Sequence, residues 1–250
     1  MDFWCDGLFI DQKVTDRLEI QDVRELITER NIEGIIVSTV KKETESFLCD
    51  LKKITDCVVV IFNEEEIRQY YKLNYSGHLG PDRMAAVVGA NLLWPAENKM
   101  VVDLGTAMTI DFTDKEGNFC GGNISLGLKT RMKALSVATS KLPDISDLDR
   151  TRSFGNDTES AIQSGAVSGV VGEILYSYKC AYKEFSVNKC ILTGGDAEFV
   201  FNFLKTEIPV SLNHNLVGLG LDYHLRTHYL IPMISANKKP RMLMDWVTTE

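Results

Sequence analysis

Val101-Val102-Asp103-Leu104-Gly105-Thr106-Ala107-Met108-Thr109 joins an apolar run to a carboxylate, a glycine turn and two hydroxyls. A buried strand with this ending delivers the Asp103 carboxylate to its tip, where it can hold a cation or the cation's water shell. Gly105 lets the backbone come close to a phosphate, because it has no Cβ. Thr106 and Thr109 add hydroxyl and N–H donors. The plainer reading is a hairpin with an Asp at its corner, and the strand-turn-strand setting weighs against it.

Leu79-Gly80-Pro81-Asp82-Arg83 is the second such segment. Gly80-Pro81 presets a turn, and Asp82 stands where the next helix begins. Asp82 is either a helix cap or a general base polarising a hydroxyl nucleophile. Arg83 either pairs with Asp82 or solvent, or neutralises substrate charge. Leu192-Thr193-Gly194-Gly195-Asp196 ends an apolar run in two glycines before a helix, the pattern that passes backbone over an adenosine or its phosphates. Cys120-Gly121-Gly122-Asn123-Ile124-Ser125-Leu126-Gly127 suits close ligand approach or helix packing alike.

The elements that must position these residues follow from periodicity. Strands are expected at Asp2–Ile10, Val14–Leu18, Ile32–Val40 and Val58–Phe62, with helices at Gln21–Arg30 and Glu43–Lys53. The stretch 63–80 is polar and irregular. A helix of small residues spans Asp82–Leu93, and Pro95 closes it. Strands at Met100–Leu104, Met108–Thr113 and Phe119–Ile124 follow, with a hairpin turn at 114–118. Then come helices at Leu128–Ala138 and Thr158–Phe185 around a loop at 142–156. Strand Cys190–Thr193, helix Ala197–Lys205, strand Ile208–Val210 and helix Leu216–Thr227 complete the order. This is an α/β chain of two tandem RNase-H-like units, the actin-like ATPase plan, with mixed sheets flanked by helices. The first unit, 1–95, lacks its opening strand in this reading. The second is 96–230, and 231–250 is a tail without an assigned role.

The 250 residues carry 27 basic and 35 acidic side chains, a net charge of −8, which argues against nucleic acid as a partner. Six cysteines show no C-x-x-C spacing, so reduced thiols and a cytoplasmic location are expected. No signal peptide is visible, and the longest apolar run, Cys57–Phe62, is far too short for a membrane span. His78, His214, His224 and His228 show no ligand spacing. Glu64-Glu65-Glu66 reads as a solvated face. Trp4, Trp94 and Trp246 read as core or interface, and Lys238-Lys239-Pro240-Arg241 is too small a basic patch to argue for nucleic acid.

Taken in order, LGPDRMAAVVGA, VVDLGTAMTIDF, GGNISLGLKTRMKAL, KLPDI, NDTESAIQSGAVSGV and LTGGD resemble type III pantothenate kinases, of the acetate/sugar-kinase–Hsp70–actin superfamily. The resemblance runs from about Leu8 to about Leu225. It implies phosphorylation of pantothenate by ATP, the first step toward coenzyme A, with Mg2+ and a monovalent cation (K+ or NH4+), by a homodimer. It implies that Asp82 is the catalytic base, with Gly80, Pro81 and Arg83 as neighbours contacting pantothenate. By the same resemblance Thr158 is a second pantothenate contact and Tyr75 stands for the family's upstream tyrosine. Asp103 is the monovalent-cation ligand and Thr106 contacts ATP, beside Gly105, Gly194 and Gly195.

Three departures matter: the spacing from Tyr75 to the G-x-D-R motif is shortened, the tail from about Ile231 to Glu250 has no clear counterpart, and the first phosphate motif is missing. Relatives open with a strand ending in D-x-G-N-[ST], and Asp6-Gly7 is not a substitute, since no buried strand precedes it and Leu8-Phe9 replace the polar turn. A late start or truncated reading frame is the preferred account. The alternatives are a non-catalytic dimeric homologue with a regulatory or binding role, and a kinase of the same superfamily acting on another small molecule.

Overall fold

Alternation of β-branched runs with amphipathic stretches produces two five-stranded sheets rather than one. The computed structural model describes residues 2–5, 8–12, 20–30, 32–38, 44–148, 153–231 and 242–247. They group into two compact units. Unit 1 takes the chain up to Leu93 together with everything from Asn215 onward, and unit 2 is Trp94–His214.

Unit 2 is a continuous stretch. Strands β5 (Lys99–Leu104), β6 (Ala107–Thr113) and β7 (Phe119–Leu126) form an antiparallel meander. The β6–β7 turn is fixed by Asp114, whose Oδ1 accepts from Asn118 N at 2.8 Å, and by Gly117 at φ 84°. Helices α5 (Leu128–Ala138) and α6 (Thr158–Phe185) then lead to β8 (Lys189–Thr193), parallel to β5. Helix α7 (Ala197–Leu204) and β9 (Val210–Leu212), parallel to β8, complete the order β7-β6-β5-β8-β9. Met100, Val102, Leu104, Ile110, Val170, Ile174 and Leu192 make its core.

Unit 1 draws on both ends of the chain. Strands β1 (Asp2–Cys5) and β2 (Leu8–Gln12) form a hairpin. Helix α1 (Ile20–Arg30), β3 (Ile32–Ser38), α2 (Thr44–Ile54) and β4 (Val58–Phe62) follow, with Val23, Leu26, Ile35, Val37, Leu48 and Leu51 buried together. Next come α3 (Glu64–Tyr70) and α4 (Pro81–Leu93). The last pieces are α8 (Leu216–Leu225), a π turn at Arg226–Leu230, and β10 (Met242–Val247). The sheet order is β2-β1-β10-β3-β4, with β10 parallel to β3 and antiparallel to β1.

Helices α4 and α8 pack against one another with almost no space between their backbones. A Cβ on Gly89 would stand 2.2 Å from the Leu216 carbonyl oxygen, and one on Gly220 would stand 1.9 Å from that of Ala85. The small-residue face of α4 is therefore a packing surface inside unit 1. None of the described helices is long and apolar enough to cross a membrane.

Three expectations change. The first sheet is not a strand short, because the tail contributes β10 to its centre. Residues 215–230, grouped by sequence order with the second half, belong to unit 1, since α8 buries its glycine face on α4. The irregular stretch 63–80 contains α3, which Asn63 caps by accepting from Glu66 N at 3.0 Å, with Glu64, Glu65 and Glu66 favourably placed in its first turn. The strand expected at Val14–Leu18, the residues Asp6 and Gly7 and the basic run 238–241 lie outside the described residues.

Candidate active site

In unit 2 the carboxyl ends of β5 and β8 meet, the edge at which open α/β sheets bind ligands. Asp103 lies in register with Thr193 of β8 on one side and Thr109 of β6 on the other. The exposed Gly105-Thr106 turn is closed by a hydrogen bond from Gly105 N to Ala107 O at 3.2 Å. The start of α5 braces it from below. Gly127 N donates to Thr106 O at 2.9 Å and Thr130 Oγ1 to the same oxygen at 2.7 Å.

Two glycines are required here for different reasons. Gly127 has an ordinary φ, but a Cβ on it would stand 1.9 Å from Gly105 O. Gly194 adopts φ +92°, and its Cβ would stand 2.4 Å from Asp103 Oδ1 and 2.6 Å from Leu104 N. The loop after β8 is thus laid directly on the Asp103 carboxylate, and Asp196 N ties it to Leu104 O at 3.1 Å. Gly195 is exposed with open space about its Cβ position.

Helix α5 opens on Gly127 with no side-chain cap, so its first amides are not taken up by one. Uncapped helix amides beside a carboxylate, a glycine turn and hydroxyls suit a phosphate chain carrying its cation. Among the described residues no three Asp, Glu, His or Cys side chains converge. A cation at Asp103 would therefore complete its shell with phosphate oxygens, main-chain carbonyls and water, as magnesium does in phosphoryl-transfer sites.

Unit 1 gathers the second set. Helix α4 begins at Pro81, the position where a missing N–H is harmless. Met84 N bonds to Gly80 O at 3.3 Å, so Gly80 holds the cap position and Asp82 stands exposed in the first turn. The cap reading of Asp82 gives way to that of a free carboxylate on the positive end of the helix. A Cβ on Gly80 would stand 2.7 Å from Asp82 Oδ1, so glycine leaves that carboxylate its room. Arg83 is 5% exposed, buried rather than solvated, with its guanidinium 5.7 Å over the Tyr75 ring. Tyr75, Gly80, Pro81, Asp82 and Arg83 are therefore one cluster.

Thr158 belongs to unit 2, exposed as the first residue of α6. The surrounding Asn-Asp-Thr-Glu-Ser run is a capping box, in which Asp157 Oδ1 accepts from Ser160 N at 2.8 Å and Ser160 Oγ accepts from Asp157 N at 3.3 Å. The motif fixes where α6 starts and so presents Thr158.

Sequence reasoning missed a buried polar network in unit 1. His224, fully buried, receives Tyr71 Oη at Nδ1 at 2.8 Å, and its Nε2 lies 2.8 Å from Glu66 Oε1. Tyr229 donates to the same Glu66 oxygen at 2.6 Å. Burial holds the His224 pKa below its ordinary value, against the opposing pull of Glu66. Glu66 is thus not part of a solvated face, and the histidines are not all scattered: the rings of His224 and His228 lie 4.8 Å apart, tilted by 50°. Glu66 and His224 lie 158 residues apart, and no local spacing could have joined them.

Comparisons with known proteins identify the chain's relatives. The family model for type III pantothenate kinase matches residues 11–179. A type III pantothenate kinase of Flavobacterium johnsoniae is 36% identical over 221 residues, covering 85% of this chain and 88% of that protein. One from Azobacteroides pseudotrichonymphae is 34% identical, covering 86% and 89%. A solved structure described as a Baf family transcriptional activator from Campylobacter jejuni superposes with a TM-score of 0.57 at 23% identity, over 84% of this chain and 88% of that one, a likeness of fold.

Proposed function

The chain belongs to the type III pantothenate kinase family, and we propose that it moves the γ-phosphoryl group of ATP onto the hydroxyl of pantothenate, giving 4′-phosphopantothenate, the first step toward coenzyme A. The observation that carries this reading is the exposed Asp82 carboxylate at the start of α4, with Gly80 giving it room and buried Arg83 behind it. Asp82 accepts the hydroxyl proton as the oxygen–phosphorus bond forms and the bond to the bridging oxygen of ADP breaks. Pantothenate is an anion, and Arg83, stacked on Tyr75, offers it a charge of opposite sign. Gly80, Pro81 and Thr158 are the remaining acceptor contacts in this reading.

The donor ATP belongs at the carboxyl ends of β5 and β8. Gly105, Thr106, Gly194 and Gly195 bring main chain close to phosphate or adenosine, and Asp103 holds the cation side. Mg2+ and a monovalent cation, K+ or NH4+, supply neutralisation of the phosphate charge when bound. The residues' own work is to orient the phosphates and to hold the proton acceptor in place. The expected form is a homodimer in the cytoplasm. Gly165 and Gly172 on α6 have open space about their Cβ positions, so that face offers close approach to a second copy.

Pantothenate-dependent release of ADP, measured by a coupled assay, tests the reading. Wild-type protein turns over, and Asp82→Asn loses about a hundredfold to ten-thousandfold in kcat. Normal turnover in Asp82→Asn overturns the assignment of the base, and no turnover in the wild type overturns the reading itself.

A further inference from the structure

Helix α5 carries two cations in its first turns, and unit 2 uses them differently. Arg131 is committed to the fold. Its Nε donates to Leu126 O at 2.8 Å, and its Nη2 donates to Ser125 Oγ at 3.0 Å and pairs with Glu173 of α6. The end of β7, α5 and α6 are tied together in this way. Lys129 stands two residues after Gly127, with its side chain 64% exposed. Among the described residues its ammonium meets one carboxylate, Asp196 Oδ1, at 3.3 Å.

Asp196 is an unusual partner. It holds the N-cap position of α7, where an Asp ordinarily accepts from the first helix amides. Its side chain makes no such bond, and its backbone, at φ −97° and ψ 4°, is outside the extended region that caps prefer. Its side chain is only 10% exposed. A carboxylate removed from water is costly without a partner of opposite charge. Asp196 therefore leaves the helix amides and is directed at Lys129. Local stability of α7 would have favoured the cap.

The pair spans the mouth of the candidate nucleotide site. Asp196 N is bonded to Leu104 O at 3.1 Å, and Ala197 N to Gly194 O at 3.2 Å, so the carboxylate belongs to the loop laid on Asp103. Lys129 belongs to the helix start that braces the Gly105-Thr106 turn through Gly127 N and Thr130 Oγ1. An ammonium has three donors, and one carboxylate oxygen takes one of them. The others remain on the exposed side of the pair.

We propose that Lys129 contacts the phosphates of the nucleotide and that Asp196 is the positioning residue that holds its flexible side chain over them. This rests on the kinase reading given above. A triphosphate brings several negative charges to a chain of net charge −8, and a compact ammonium serves as a point charge for phosphate oxygens. Anchoring by Asp196 lowers the entropy lost when the lysine side chain is ordered on the ligand.

Calorimetric titration of the full chain with Mg·ATP and, separately, with adenosine tests the proposal. Lys129→Met is expected to bind Mg·ATP about tenfold more weakly and adenosine as the wild type does. Lys129→Arg, which keeps the charge, should recover most of the loss. Asp196→Asn should lose about threefold for Mg·ATP and nothing for adenosine. The wild-type affinity for Mg·ATP should also fall more steeply with added salt than that of Lys129→Met. If the pair only braces the loops, adenosine and Mg·ATP weaken together in Lys129→Met, and that result overturns the proposal. Wild-type Mg·ATP affinity in folded Lys129→Met overturns it as well. The two readings fail separately. Lys129-dependent Mg·ATP binding without pantothenate-dependent ADP release sinks the acceptor assignment and leaves Lys129 in place. Pantothenate-dependent turnover with undiminished Mg·ATP affinity in Lys129→Met leaves the kinase reading and removes Lys129.

Discussion

Unit 2 is one unbroken stretch of chain, and unit 1, with the same arrangement of strands about its central one, is closed by segments from opposite ends. In unit 2 β6 and β7 pair across short turns, and β8 returns beside β5 after β6, β7, α5 and α6, all within one stretch of chain. Two glycines of its loops, Gly127 and Gly194, are required by the close approach of Gly105 O and of the Asp103 carboxylate. In unit 1 the turn before α4 carries chemistry, but the sheet beneath it is completed only when β10 inserts between β1 and β3. Contiguous units fold on local contacts, whereas a sheet centred on a distant strand must first close a very long loop. One plan can thus be reached with very different sequence separations.

Substitutions at the tight glycines press hardest on this contrast. Gly194→Ala forces a side chain into a left-handed backbone and onto the Asp103 carboxylate. Nucleotide binding should fall about a hundredfold, while Gly195→Ala, with open space around it, should bind nucleotide as the wild type does. Equal affinities in the two variants would break the claim that the unit 2 loop is laid on Asp103.

A smaller effect is expected in unit 1. Gly220→Ala drives a methyl group against Ala85 O, so α4 and α8 must separate, at a cost of about 1–3 kcal/mol. Thermal melting should shift down by several degrees. Hydrogen exchange should locate the loss in unit 1 and leave the amides of β5, β6 and β8 protected. Uniform loss of protection in both units would show that the cost is not confined to the α4–α8 contact.

The smallest effect concerns pH. His224 is buried as the neutral imidazole between Tyr71 and Glu66, with its pKa held below the ordinary 6.5 by burial. The unfolded chain takes up this proton near the ordinary value, the folded one only at lower pH. The contribution of His224 is therefore complete above about pH 6.5 and is lost as pH falls toward the depressed value. Melting temperature should decline through that window, and His224→Gln should flatten the decline. An unchanged slope in that variant would show that other groups set the acid sensitivity.

Much of the site was legible because its signals are local. Asp103 follows three apolar residues and precedes Gly105, and Pro81 and Asp82 follow Gly80, so strand end, turn and helix start could each be read within a few positions. The edges of most elements were legible to within two residues for the same reason. Three features were not. Helix α3 was hidden by its polar composition, although Asn63 three residues before Glu66 was a capping signal. The role of Gly127 was hidden because its φ is ordinary and only the proximity of Gly105 O excludes a side chain. The Glu66–His224 network was hidden by the distance in sequence between its members.

By itself the sequence determined the alternation of strands and helices, the positions of Asp82 and Asp103 at element ends, and the resemblance of the ordered motifs to one kinase family. These depend on periodicity, turn chemistry and caps, which act over three to eight residues. Only the tertiary structure decided that α8 belongs with α4, that Gly194 covers Asp103 and Arg83 lies over Tyr75, and that β10 fills the centre of the first sheet. A strand carries no local mark of which neighbours it will take. That choice is made by backbone hydrogen bonds that no strand can satisfy alone, and a free slot between β1 and β3 accepts the segment whose length and apolar run fit it, wherever along the chain that segment lies.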